Sequence, residues 1–422
     1  MSQKQIAGHS ALIALLLTIF IDAVGLGVVY PVFTSAILEN SLSMSQTFMT
    51  FGAKNTLFNC LLMAFPFAMF LGAPVMGALS DKYGRKLILC ISLIGNIIGF
   101  SICAIAFLST SATEMLFLLF LGRIISGLSA GCVPIAQAAI ADISLGNEKA
   151  SKLGLISVAN GVGFTLGPII GSIFLSDKIK DMGLSLPMII LSALSLIALL
   201  SIFFFFENTG TAKDPNAKIN FFSGLTNIYL AFKVKTSRLL VMAFACYIIG
   251  YLGFFQYWSI LLTKKLGYSS QMIGYTISYY AIFFSIALIF LLPTFMKKIK
   301  LPTIMIASLA LQLICLTAFF FIAKLPLLIW ALLIPMAIAF SFCYVASVSL
   351  VSNATDKSDQ GKIMGVLGSL TALGWIFGPL IALFADTIQI NAPVFVYMAL
   401  ILVAFFFAIK SATHQAASSN GQ

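Results

Sequence analysis

Charged residues are scarce. Asp, Glu, Lys and Arg make up 9% of this 422-residue chain, where a soluble domain carries about 25%. With a mean hydropathy of +1.07, most of the chain must be solvated by lipid rather than water. Histidine is scarcer still: His9 and His414 lie in the two tails. No His–Cys or His–carboxylate cluster can form in the body of the chain, so hydrolase and metalloenzyme chemistry lack their parts. Cys60, Cys90, Cys103, Cys132, Cys246, Cys315 and Cys343 sit inside apolar runs and none is spaced C-x-x-C, which reads as small packing residues rather than disulfides or metal ligands. A G-x-x-x-x-G-K-[ST] phosphate loop is missing too, which argues against ATP as a direct energy source. The expectation is no enzyme, no metal and no cofactor.

Apolar runs fill the chain at 11–38, 55–78, 87–109, 115–140, 153–175 and 187–206, then at 239–262, 272–296, 302–323, 327–352, 363–385 and 391–409. Each approaches the roughly 20 residues that span a bilayer as a helix. The first follows a single Lys, lacks an A-x-A cleavage site and is too long for a signal peptide, so it is expected to be a retained span. The polar stretch from Glu207 to Arg238 is the one long linker. The expected fold is therefore an all-α membrane protein of twelve transmembrane helices in two six-helix halves, 1–206 and 239–422, joined by a cytoplasmic linker at 207–238.

The net charge of +11 does not point to nucleic acid, because the basic residues are scattered through short gaps between the runs. Placing the amino terminus in the cytoplasm puts 17 of the 24 Lys and Arg on the inner side and six on the outer, with Arg123 inside a span. That bias predicts cytoplasmic termini and linker. The halves also repeat: a shift of 211 residues lays Gly154 on Gly365, Gly163 on Gly374, Gly167 on Gly378 and Pro168 on Pro379. Repeated six-helix halves mark a secondary transporter with its site between the halves near the midplane.

The charges that remain are concentrated. G-A-L-S-D-K-Y-G-R-K-L-I-L, Gly77 to Leu89, places Asp81, Lys82, Arg85 and Lys86 between two apolar runs. This stretch resembles the signature loop of the major facilitator superfamily, G-x-L-a-D-r-x-G-r-k, through Gly77, Leu79, Asp81, Gly84, Arg85 and Lys86. Three further stretches are similar to the twelve-span drug:proton antiporters, which include tetracycline and multidrug exporters. F-I-D-A-V-G-L-G-V-V-Y-P-V carries Asp22, Gly25, Gly27 and Pro31; L-G-R-I-I-S-G carries Arg123 and Gly127; and G-F-T-L-G-P-I-I-G carries Gly163, Gly167, Pro168 and Gly171. The chain departs from tetracycline exporters where they bear acids in the third and ninth spans. Asn96 and Gln312 are the polar residues here, so tetracycline with its divalent cation fits poorly.

The resemblance implies a latch. Gly77 would permit a close helix approach, Gly84 a tight turn, Asp81 would meet the amino end of the eleventh span near Lys362, and Arg85 would pair with Asp142. A plain positive-inside anchor accounts for Lys82 and Lys86 but not for Asp81 or the glycines. Asp22 and Arg123 are the two ionisable side chains deep in spans, each costing about 2.5–3.5 kcal/mol to insert, so both are candidates for proton coupling. The alternative is a structural pair tying the first and fourth spans together, and direct contact would require the long Arg side chain to bridge several ångströms. Gln137, Asn160, Tyr251, Gln256, Tyr344 and Trp375 are candidates for lining a cavity suited to amphipathic organic molecules, with helix packing or lipid contact as the alternative for each.

The resulting expectation is a proton-coupled exporter in a bacterial cytoplasmic membrane. It would work as a monomer by alternating access, with a small molecule, protons and the bilayer as partners. Two alternatives stand beside it: a transporter dedicated to one metabolite or siderophore, and a transport-inactive receptor or assembly protein on the same fold.

Overall fold

A computed structural model of the chain describes residues 3–39, 50–142, 148–175, 183–207, 226, 229, 238–322, 325–355, 360–385 and 388–419. Their regular structure is helical. In the first half, α1 (Gln3–Phe33) continues into a π-helical turn, Thr34–Leu38, and is followed by α2 (Phe51–Tyr83), α3 (Arg85–Ala106), α4 (Ala112–Leu128), α5 (Cys132–Asp142), α6 (Glu148–Phe174) and α7 (Ser185–Phe205). The second half holds α8 (Arg238–Leu266), α9 (Ser270–Ile286) with a π turn at Ala287–Leu291, α10 (Leu292–Met296), α11 (Leu301–Ile322), α12 (Pro326–Asn353), α13 (Gln360–Ala385) and α14 (Ala392–Ser419). Among the described residues, eleven helices are long and apolar enough to cross a membrane, and Val158–Phe174 is a shorter apolar helix.

The chain divides into two compact units. One comprises Met1–Phe221 with Ser269–Ser278, the other Phe222–Tyr268 with Tyr279–Gln422. In the first, α1 packs on α6 and α7, α3 on α4 and α7, and α2 on α4. In the second, α8 packs on α13 and α14, and α11 on α12. Helix ends follow local chemistry. Thr50 Oγ1 accepts the Ala53 N–H at the start of α2, and Ser111 Oγ accepts the Glu114 N–H at the start of α4, relieving unpaired first-turn donors.

One expected helix differs. The run at 115–140 is two helices separated at Ser129–Gly131, because Pro134 has no N–H to offer the Ala130 carbonyl and its ring crowds that group. The chain leaves α4 through a tight turn, with Ala130 N–H donating to Gly127 O at 3.0 Å. It re-enters with Pro134 in the first turn of α5, where a missing donor costs little.

Close packing of α2, α3 and α4 depends on glycines. A Cβ on Gly99 would stand 2.6 Å from the Gly122 carbonyl oxygen, and one on Gly122 the same distance from that of Gly99. Gly72 lies against the Leu128 backbone. The sequence signal was present in the Gly95–Gly99 spacing.

Candidate functional site

Asp22, midway along α1, stays partly exposed while its neighbours Ile21 and Ala23 are buried. Its Oδ1 accepts a hydrogen bond from Asn96 Nδ2 of α3 at 3.3 Å. Arg123 of α4 is buried, with its guanidinium 4.5 Å from the centroid of the Phe65 ring and 5.8 Å from that of Phe33. Its Nε has no hydrogen-bond partner, and no ion pair joins it to Asp22 among the described residues. The reason is register. Arg123 meets α1 at Phe33, eleven positions beyond Asp22, and interacts with Tyr30, eight beyond it, about 12–16 Å of helical rise. At that range two unit charges interact by about 1 kcal/mol at an effective dielectric of 20, whereas a hydrogen bond to a charged group contributes about 1.5–3 kcal/mol. Asn96, not Arg123, is the dominant neighbour of the carboxylate, and sequence reasoning had named it only as the polar residue of the third span.

Two charges of the signature loop pair with each other. Arg85 Nη1 pairs with Asp81 Oδ1 at 2.5 Å and donates to Ser80 Oγ at 2.7 Å. Gly84, at φ 103°, makes the turn between α2 and α3 in a conformation that side chains disfavour. Lys86 extends over the Phe203 ring at 5.5 Å. Nothing lies within 4 Å of where a Cβ on Gly77 would be, so the close approach expected there is not made in this structure; Gly72, one and a half turns earlier, makes one instead. Asp142 ends α5, and its side chain, like that of Lys362, lies outside the described residues.

Gly163, Gly167 and Gly171 of α6 face α1. A Cβ on Gly167 would stand 2.6 Å from Val24 O and 2.9 Å from Gly27 Cα; one on Gly171 would be 2.8 Å from Pro31 Cγ, and Gly163 lies against Phe20 O. Pro168 meets Gly27 from the other side. The second unit repeats the joint, since a Cβ on Gly378 would be 2.6 Å from Gly253 Cα. The sequence repeat located Gly167 and Gly378 but not their partners, Gly27 and Gly253.

The aromatic candidates gather within the second unit. Tyr251 stacks on Phe340 with centroids 3.6 Å apart and hydrogen-bonds to the hydroxyl of Tyr280. Phe340 in turn lies 6.0 Å from Tyr344, and Phe255 links Tyr280 to Trp375. Gln256 is used differently. It is 1% exposed, and its Nε2 donates to the Trp375 carbonyl at 3.2 Å, the carbonyl that Pro379, four residues on, cannot serve. Gln137 and Asn160 are exposed side chains of the first unit. Among the described residues, no group of three or more His, Cys, Asp or Glu is placed to hold a metal ion.

Comparison with known proteins agrees with this architecture. A sequence profile described as Major Facilitator Superfamily matches residues 15–379 and 257–421. The chain belongs to the major facilitator superfamily; it is a multi-pass membrane transporter, not an enzyme. It is 28% identical over 376 residues to the tetracycline resistance protein, class C, of Escherichia coli, covering 88% of this chain and 89% of that one. It is 27% identical over 421 residues to the quinolone resistance protein NorA of Staphylococcus aureus (strain COL), covering 97% and 98%. Among solved structures, the xylose transporter XylE from E. coli matches with a TM-score of 0.73 at 12% identity over 96% of this chain and 97% of that one. The human organic anion transporter MFSD10 (TETRAN) matches with a TM-score of 0.69 at 20% identity over 95% and 99%. At such identities the structural likeness speaks to the fold alone.

Proposed function

We propose that this transporter is a proton-coupled exporter of small amphipathic organic compounds, an antiporter working by alternating access. It acts as a monomer in the bacterial inner membrane with both termini in the cytoplasm. The observation that carries the reading is Asp22: a carboxylate deep in a span, partly exposed and held by one amide donor rather than neutralised by an ion pair. An intramembrane acid so placed has a charge that changes as water reaches it from one side or the other. Proton release and substrate capture then compete at one place as access alternates. One proton crossing 100 mV supplies about 2.3 kcal/mol and a pH unit about 1.4, together enough for roughly several hundredfold accumulation of a neutral solute.

The relatives named for tetracycline and quinolone resistance support a drug-like substrate class. Tetracycline itself remains a poor fit, because the third and ninth spans offer Asn96 and Gln312 in place of acids. Arg123 is assigned to coupling through the outer part of the first unit, not as the immediate partner of the carboxylate. Growth of an efflux-deficient host expressing the chain, scored against diverse toxic compounds, identifies a substrate. Substrate-driven proton movement in proteoliposomes under an imposed pH gradient then tests the mechanism. Asp22→Asn should abolish uphill efflux while leaving downhill exchange. Accumulation by that variant at the wild-type rate would make Asp22 structural and overturn the proposal.

A further inference from the structure

The break in the fourth span places an unusual feature beside Asp22. α5 begins at Cys132 and packs on both α1, which carries Asp22, and α3, which carries Asn96. Depth agrees. Asp22 lies eleven residues from Ala11, Asn96 eleven from Arg85, and Cys132 ten from Asp142; each is about 15–17 Å of helical rise from the same end of its span. The amino end of α5 therefore stands at the level of the carboxylate.

Two buried side chains of α3 complete the surroundings. Asn96 donates to Asp22 at 3.3 Å. Ser92, one turn earlier on the same face, is fully buried, and its side chain hydrogen-bonds to Cys132 at the start of α5. It lies against the break, 3.3 Å from where a Cβ on Gly131 would be. We propose that Asn96 is the positioning residue that holds Asp22 in its ionised form and so sets the pH at which the carboxyl gives up its proton. This rests on the reading of Asp22 as the coupling acid.

In the step itself, the O–H bond of the Asp22 carboxyl breaks, the proton passes to water, and the carboxylate left behind is met by Asn96 N–H. Among the described residues of the helices packed against it, no other charge is placed to do this. α7 carries no titratable side chain, those of α6 (Glu148, Lys149 and Lys152) stand in its first two turns, and those of α3 are Arg85 and Lys86 at its start with Cys90 and Cys103. Cys132 on α5 is the titratable neighbour, and Arg123 meets α1 eight and eleven residues away, at Tyr30 and Phe33.

Dicyclohexylcarbodiimide, which modifies protonated carboxyl groups in apolar surroundings, tests the proposal without a known substrate. In purified full-length protein, labelling of the Asp22 peptide is followed by mass spectrometry across pH, with Asp22→Asn as the blank. Asn96→Leu, close in volume but without the donor, should move the labelling midpoint to higher pH by about one unit, and Asn96→Gln should restore part of the shift. An unmoved midpoint in a variant of wild-type melting temperature overturns the proposal. The wild type carries the same test should the variants not fold. The 15N-labelled side-chain amide of Asn96 should titrate with the midpoint of Asp22 labelling, and an amide indifferent to pH overturns it as well. If labelling shifts as expected while Asp22→Asn still accumulates substrate normally, the proposed function fails and the positioning role stands. If Asp22→Asn loses coupling while the midpoint stays put, the reverse holds.

Discussion

Gln256 shows how a single side chain can be read in two ways. A lone amide in an apolar span is a natural candidate for contacting a substrate, yet here it is buried and serves the carbonyl that Pro379 leaves open. Removing one partner of a buried hydrogen bond costs about 1–3 kcal/mol, so Gln256→Leu should lower the melting temperature in detergent. It should leave substrate preference unchanged. Pro379→Ala restores an N–H to the Trp375 carbonyl, and in that background Gln256→Leu should cost measurably less. The cycle isolates the coupling because the two residues act on one acceptor. Additive losses would return Gln256 to the cavity. Arg123 admits a similar test through its aromatic neighbours. A desolvated cation over a ring gains about 2 kcal/mol, so Phe65→Leu, which removes the ring at 4.5 Å, should destabilise the protein by about 1–2 kcal/mol, read by thermal unfolding.

At the scale of helices, the joint between α1 and α6 recurs between α8 and α13. Gly27 faces Gly167 and Gly253 faces Gly378, so each joint brings two backbones together where no side chain fits. Gly167→Leu should leave a folded protein that leaks protons or stalls in exchange, because a bulky group there would have to displace Val24 and Gly27. Normal coupled transport by that variant would reduce the α6 glycines to generic packing. Gly378→Leu is expected to behave alike, since its added Cβ would come as close to Gly253.

These joints also show what was legible in the sequence. The run lengths and motif glycines marked the spans and the α6 face, because hydropathy and the absence of a side chain are properties of single residues. The facing glycines were hidden by spacing: the shift relating Gly167 to Gly378 is 211, but Gly27 to Gly253 is 226, and a constant shift cannot find both. The break before α5 was readable from Pro134 and the flanking Gly131, but a continuous apolar run masked it. The Asp22–Asn96 bond depends on the relative depth of two helices, which no local pattern encodes.

At the scale of the whole chain, orientation follows from where cations are left behind. Insertion disfavours moving Lys and Arg across the membrane, and 17 basic residues fall on one side of the spans against six on the other. The seven native cysteines are free and none is fully exposed, so a cysteine-less background obtained by small-residue replacement should retain the fold and provide a clean reporter. Single cysteines introduced between Glu207 and Arg238 should then react in intact cells with a membrane-permeant maleimide and resist an impermeant sulfonate reagent. Cysteines near Lys54 and Lys264, at the opposite ends of their spans, should show the reverse. Labelling of the 207–238 stretch by the impermeant reagent would invert the topology. It would also place the signature loop and the basic excess outside, against the orientation the charge bias predicts.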